Sequence, residues 1–436
     1  MSTEGVAGLM VILMLVLMFI RIPIGIAMMA AGVLGYTIID DYTTLFYFLK
    51  NSSFNQVANN SYSIIPLFLL MGNLASRSGI SKSLFDGMNA FIGHYRGGLA
   101  LAAVGGCGLF GAICGSSLAT AATMGQVALP EMRRHGYNGA LSTGALAAGG
   151  TLGILIPPSI VLIIYALLTE QNIAKLFLAA MVPGVMAVLG YMIAILAIVK
   201  LHPSYADCSE KTSWNEKLHA VINLLPASAL FIAVLGGIYA GVFTPTEAAA
   251  FGVIGTTLIA IANRQLTFKR FQECLSQTAI NTGMIFVIIL GADIFNAFLS
   301  LSGMPEFLAE YIIHSDLSPY MVMIVILLVY LVLGCLMDSL SMILLTIPIF
   351  FPAIMVLDFG MSAEQTALWF GILCLIVVEV GMITPPVGMN VFVINKMAGD
   401  VPMKQTFVGV LPFLISDFTR VILLLLFPIL TWGIAV

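Results

Sequence analysis

Charge is what this chain has least of. Its 436 residues carry 17 Lys and Arg against 21 Asp and Glu, 9% charged in all, for a net charge of −4. Soluble domains run near a quarter charged, so a water-facing surface over most of the chain is excluded. No basic patch or aromatic-rich polar face argues for nucleic acid. Six cysteines (Cys107, Cys114, Cys208, Cys274, Cys335, Cys374) lie mostly inside apolar runs, with no CxxC or Cys/His cluster. That pattern argues against a metal centre or disulfide and reads as small buried hydrophobes. His94, His135, His202, His219 and His314 fall in or near loops, and none is spaced as a metal pair. With no paired nucleophile and base either, an enzyme is not expected. Nothing resembles a Walker A loop, so any work must draw on an ion gradient or a partner. The N-terminus lacks a basic region and a small-residue cleavage site, and Gly5–Ile20 is expected to be a retained first span.

What the chain does have is apolar length. It is 60% hydrophobic with a mean hydropathy of +1.07. The runs are too many for a buried core and predict an all-α polytopic membrane protein. One run, GTLGILIPPSIVLIIY (Gly150–Tyr165), is interrupted by Pro157-Pro158. Proline lacks an N–H donor and its ring clashes with the carbonyl one turn back, so the helix should break there. The break frees carbonyls on one side and exposes N–H groups at a new helix N-terminus on the other. In hydrocarbon those groups need a partner, so a cavity with an occupant is expected. GMITPPVGMN (Gly381–Asn390) repeats the pattern, and two broken helices in corresponding places point to the site of a secondary transporter.

Self-similarity extends beyond the diprolines. Gly32-Val-Leu-Gly35 echoes Gly252-Val-Ile-Gly255, Pro23 echoes Pro245, and Ser78-Gly79 echoes Ser302-Gly303. Gly111–Ser116 echoes Gly334–Ser339, so five echoes keep one order at offsets from 220 (252 − 32) to 228 (385 − 157). The chain thus divides into repeats 1–205 and 217–436 joined by a polar linker, 206–216. Spans are expected at Gly5–Ile20, Ile22–Ile39, Ser63–Ser76 (broken by Pro66, after a polar stretch through Ser61), Gly97–Cys114 and Leu118–Leu129. Ala140–Ile156 with Ser159–Leu168 makes the broken span, and Leu176–Val199 closes the half. The second half reads Ala220–Val242, Ala248–Ala262, Ala279–Leu301, Pro319–Met337, Ser341–Leu357, Ala367–Ile383 with Val387–Asn395, and Phe407–Trp432. Arms Gly97–Leu129 are flanked by Arg96 and by Arg133-Arg134, whereas arms Pro319–Leu357 are flanked by Glu306, Glu310, Asp316, Asp358 and Glu364. Basic flanks favour the cytoplasm, so the halves are expected to be inverted copies. Short or proline-interrupted second arms with small polar turns fit re-entrant hairpins better than full spans. Scaffold spans are placed at about 5–76 and 220–262, and hairpins with broken helices at about 97–168 and 319–395.

The hairpin tips carry the chemistry. Hydroxyls and carbonyls freed at a non-helical tip are hard oxygen ligands suited to an alkali cation. One composite alkali-cation site, which the resemblance given below makes a sodium site, would join Gly115, Ser116 and Ser117 to Gly153, Ile156 and Pro158. A second would join Asp338, Ser339 and Ser341 to Gly381, Thr384 and Val387. Small hydroxyl residues also simply let membrane helices approach. Between the two half-helix N-termini a substrate carboxylate is well placed, with Ser117, Thr120, Pro157, Ser159, Pro385, Pro386, Gly388 and Asn390 as candidate contacts. Asn390 can equally stack two helices. Among ionisable residues within spans, Asp338 is the strongest candidate to balance a cation. Asp293 and Glu379 either act directly or hold a neighbouring helix, and Glu247 in TPTEAA reads as a helix-start cap.

With GSSLATAATMG, GILIPPS, FTPTEAAA, LMDSLSMILLTIPIFFP and GMITPPVGMN on the page, the chain resembles the large membrane subunit of tripartite ATP-independent periplasmic (TRAP) transporters over essentially its whole length. The resemblance implies an elevator fold of the ion-transporter superfamily in the bacterial inner membrane. It implies sodium-coupled import of an organic acid, a C4-dicarboxylate or sialic acid, with no cofactor beyond sodium. It also implies two partners, a periplasmic substrate-binding protein and a small four-helix membrane subunit, here expected as a separate chain. A sodium/dicarboxylate symporter of related fold, working without partners, is the alternative. A channel lined by the breaks is a further reading, which saturable flux dependent on a binding protein would reject.

Overall fold

A computed structural model describes residues 3–207, 213–314 and 317–436. Cys208, Asp316 and residues 208–212 of the expected linker lie outside them. The first half holds α1 (Thr3–Phe19), α2 (Ile24–Ile39), α3 (Tyr42–Ala58), a 3-10 turn at Asn60–Ser63, α4 (Ile64–Arg77) and α5 (Ile80–Ile92). It continues through α6 (Gly98–Cys114), α7 (Ser117–Arg134), α8 (Gly139–Leu155), α9 (Ile160–Leu168) and α10 (Ile173–Leu201). The second half holds α11 (Trp214–Tyr239), α12 (Pro245–Ala262), α13 (Phe268–Ser302), α14 (Met304–His314) and α15 (Pro319–Gly334). It ends with α16 (Ser339–Met355), α17 (Ala363–Gly381), α18 (Met389–Ala398), α19 (Met403–Leu426) and α20 (Ile429–Trp432). No strand occurs among the described residues.

Six helices are long and apolar enough to cross a membrane, or up to eight if each of two bent pairs is one span. One bent pair is α8–α9, which turns by 42° at the first diproline. Both diproline bonds are cis. The arms α6, α15 and α16 have 17, 16 and 17 residues. At 1.5 Å per residue they reach about 24–26 Å, the same length as α1 and α2, with 17 and 16 residues.

One expectation needs correction: Pro66 does not break its span, because it sits in the first turn of α4, where a missing N–H costs nothing. The structure also adds to the expected spans. The polar stretch before Ser61 is helical over Tyr42–Ala58, with no Gly or Pro inside. Helices α5 and α14 were not foreseen as elements, and α13 begins at Phe268, eleven residues ahead of its expected start. Thr267 caps that polar start by accepting from Arg270 N–H. Glu247 does cap α12: Thr244 Oγ1 accepts from its N–H at 3.3 Å and its carboxylate accepts from Thr244 N–H at 2.8 Å.

The two halves run in parallel element order. α13 covers in one helix what α3 and α4 cover in two, and both end at a Ser-Gly whose glycine is left-handed, φ 82° at Gly79 and 70° at Gly303. Each then enters a hairpin (α6–α7, α15–α16), a broken helix (α8–α9, α17–α18) and a closing helix (α10, α19). The half-helices cross over: α9 packs on α16 of the other half, and α18 on α7 and α8. Helices α1, α2, α4, α12 and α13 pack mainly among themselves, and α11 packs on α5 and α12. Their closest seam is α2 against α13, where a Cβ on Gly25 would stand 2.7 Å from Val287 O.

Candidate functional site

Both tips are built by helix ends. Gly115, at φ 65°, ends α6, and Ser116 starts α7 by accepting from Ala119 N–H at 3.4 Å. In the second half Asp338 starts α16, accepting from Ser341 N–H at 3.1 Å and from Ser341 Oγ at 2.5 Å. The tips converge on one cavity of about 370 Å³. Gly115, Ser116, Ser117, Asp338 and Ser339 line it, with Ile154, Ile160, Val161 and Met382 from the flanks of the breaks. Leu69, Asn281, Met284 and Ile285 of α4 and α13 form the opposite wall. Among the described residues no Lys, Arg or His lines it.

Behind the tips sits a polar chain. Glu379 of α17 is 1% exposed, and its carboxylate accepts from Ser117 Oγ on one oxygen and from Ser339 Oγ on the other, both at 2.5 Å. Ser117 Oγ also lies 3.2 Å from Gly150 O. With one hydrogen to give, the shorter and charge-assisted contact takes it. Asn390 Nδ2 donates to Ser117 Oγ at 3.1 Å, and Asn390 N–H bridges the second break to Met382 O at 3.1 Å. Asn390 Oδ1 and Thr120 Oγ1 are buried with no hydrogen-bond partner among the described residues.

The structure brings part of the expected constellation together. Gly153 lies against the Ser116 carbonyl and Thr120, and Gly115 against the Pro158 carbonyl. Asp338, Ser339 and Ser341 share one helix cap. Ser159 instead caps α9, accepting from Leu162 N–H. The Ile156 side chain packs toward Gly108 and Gly184. Gly381 abuts Gly334, and Thr384 Oγ1 donates back to Val380 O. Pro385 and Pro386 are exposed, and Thr120, Pro157, Ser159, Val387, Gly388 and Asn390 do not line the cavity either. Asp293 lines a separate cavity of about 900 Å³ with Asn59, Glu170, Thr244 and Asn296.

Two features escaped sequence reasoning. The wall residues Asn281 and Met284 belong to α13, whose register no motif marks. Asp417 and Arg420 form a buried ion pair in α19, 2.8 Å between Oδ1 and Nη2, and Tyr191 Oη donates to Asp417 Oδ2 at 2.8 Å. The signal was two opposite charges three apart in FLISDFTRVILLLL.

Residues 11–430 match the family model described as tripartite ATP-independent periplasmic transporter, DctM component. A C4-dicarboxylate TRAP transporter large permease protein, DctM, of Pseudomonas aeruginosa is 37% identical over 365 residues, 84% of this chain and 83% of that one. The sialic acid TRAP transporter large permease protein SiaM of Vibrio cholerae is 28% identical over 415 residues, 94% of each chain. In fold, the chain is similar to the Alcanivorax borkumensis YdaH transporter, with a TM-score of 0.65, 13% identity and 91% of both chains covered. The chain is a multi-pass membrane protein and belongs to the tripartite ATP-independent periplasmic transporters as a large permease, the DctM component.

Proposed function

We propose that this permease imports an organic acid by sodium coupling, through an elevator movement of the hairpins and broken helices against the α2–α13 scaffold. One observation carries the reading. Among the described residues the cavity between the tips is walled by hydroxyls, backbone, the Asn281 amide and apolar side chains, with Asp338 on it, Glu379 behind it and no basic residue. An anion entering such a site meets negative charge and needs cations to accompany it. The tips offer those cations oxygen ligands. Filled sites neutralise the region and order both tips, so the loaded group can pass the apolar wall while a half-loaded one is held back. The relatives that transport C4-dicarboxylate and sialic acid support a carboxylate substrate. The small membrane subunit, as a separate chain, and a periplasmic binding protein complete the transporter.

The test is uptake into proteoliposomes holding the permease with its small subunit, with the binding protein outside. Replacing sodium by choline is expected to cut uptake by about tenfold or more, since the site would keep an uncompensated charge worth more than 1.4 kcal/mol. Uptake unchanged without sodium rejects the coupling. Equal uptake without the binding protein assigns the chain to partner-independent symport.

A further inference from the structure

Glu379 stands in a helix buried along nearly its whole length, Thr366 to Gly381. Among the described residues no Lys, Arg or His lies within salt-bridge distance of it, and Arg420 of neighbouring α19 is ion-paired with Asp417 instead. Its two oxygens are divided between the tips: one accepts from Ser117 of the first, the other from Ser339 of the second. These serines are 222 positions apart in sequence (339 − 117) and belong to different halves. Asn390, on the half-helix after the second break, donates to Ser117. A single hydrogen-bonded line therefore runs from α18 through the first tip and the Glu379 carboxylate to the second tip.

We infer that Glu379 is a positioning residue that ties the two tips into one unit, so that a ligand ordering one tip favours the ordered form of the other. A purely packing role needs only a side chain of this volume at this place. A carboxylate suits the coupling because each of its two oxygens accepts from one serine, whereas an amide of the same shape has one oxygen and an NH2 in place of the other. The inference rests on the sodium-coupled reading for its transport readout, and the tip geometry can be checked without it.

Sodium titrations of uptake, with binding-protein-delivered substrate, would compare the parent with E379Q, S117A and S339A. E379Q keeps the volume but offers one acceptor instead of two. It is expected to raise the sodium concentration at half-maximal rate about tenfold, the scale of one charge-assisted hydrogen bond, and to bring the Hill coefficient down toward one. E379D, which keeps both oxygens, is expected to recover most of the steepness. S117A or S339A added to E379Q should do little more than E379Q alone. Independently, spin labels at L118C and L340C, with the native cysteines replaced, should give a narrow tip-to-tip distance with Glu379 and a broadened one with E379A. A parent-like sodium curve in E379Q, additive serine effects, or an unbroadened distance would each overturn the inference. If the parent shows no sodium dependence, the transport reading fails and the distance measurement alone decides the coupling.

Discussion

Arg420→Leu is expected to leave little folded permease, because it strands the Asp417 carboxylate inside the bundle. Asp417 and Arg420 side chains are 1% and 4% exposed. Removing one member of such a pair costs about 3–5 kcal/mol, since the survivor keeps its desolvation penalty and loses its counter-charge. That is a large part of a typical folding free energy. The pair also fastens three helices: Tyr191 of α10 donates to Asp417 of α19, and Tyr191 Oη stands 2.9 Å from Thr151 Oγ1 of α8. Asp417→Leu should be as harmful, leaving a guanidinium whose Nε and Nη1 already lack partners. The double change Asp417→Leu with Arg420→Leu is expected to restore much of the yield, because no charge is left to desolvate. Tyr191→Phe should cost about 1.5–3 kcal/mol, one hydrogen bond to a charged acceptor. Detergent extraction followed by size-exclusion after graded heating reads all four. Parent-like stability in R420L would show that the pair holds nothing together.

How much of this was legible follows from what each signal reports. Pro157-Pro158 and Pro385-Pro386 announced the breaks because proline acts on the backbone whatever surrounds it. Gly115 and Ser116 announced a tip because helix ends have their own chemistry. The tie between Ser117, Glu379 and Ser339 was not legible, since hydrogen-bond partners across halves depend on tertiary packing that no local pattern encodes. The same holds for Asn281 and Met284, which read as ordinary helix residues until α13 is set against the tips. Pro385 and Pro386 show the converse limit. The local rule placed a break there, yet their side chains are exposed while Pro157 and Pro158 are buried, because equivalent breaks in two halves need not have equivalent neighbours. Asp417 and Arg420 drew no reading at all, because two charges in a run otherwise suited to lipid form no motif and mark no helix end.

Gly153→Ala is expected to lower uptake about a hundredfold while leaving the permease folded. A Cβ at Gly153 would stand 2.4 Å from Thr120 Oγ1 and 2.7 Å from Ser116 O, and Gly111 of α6 closes the other side. Side chains never tolerate such distances, so the first tip must move by a sizeable fraction of an ångström. Misplacing a binding group by about 1 Å costs roughly a hundredfold in rate when geometry carries the function. The second half offers a replicate, because a Cβ on Gly381 would stand 2.5 Å from Gly334 C, in the equivalent seam between hairpin and broken helix. G381A should therefore show a similar loss. Gly283→Ala is the control: its Cβ would meet nothing within 4 Å, and helix propensity even favours the change by roughly 1 kcal/mol. The clash at Gly153 has a side-chain part and a backbone part, and Thr120→Ala separates them. If G153A with T120A transports normally, only the Thr120 hydroxyl was in the way and the tip backbone never moved. If the defect persists, the clash lies with the backbone-fixed atoms, the Ser116 carbonyl at 2.7 Å and the Thr120 Cβ at 2.9 Å, which makes the backbone position of the first tip a condition of transport. Parent-like uptake in both G153A and G381A would mean that close seating of the tips on the broken helices is dispensable for transport.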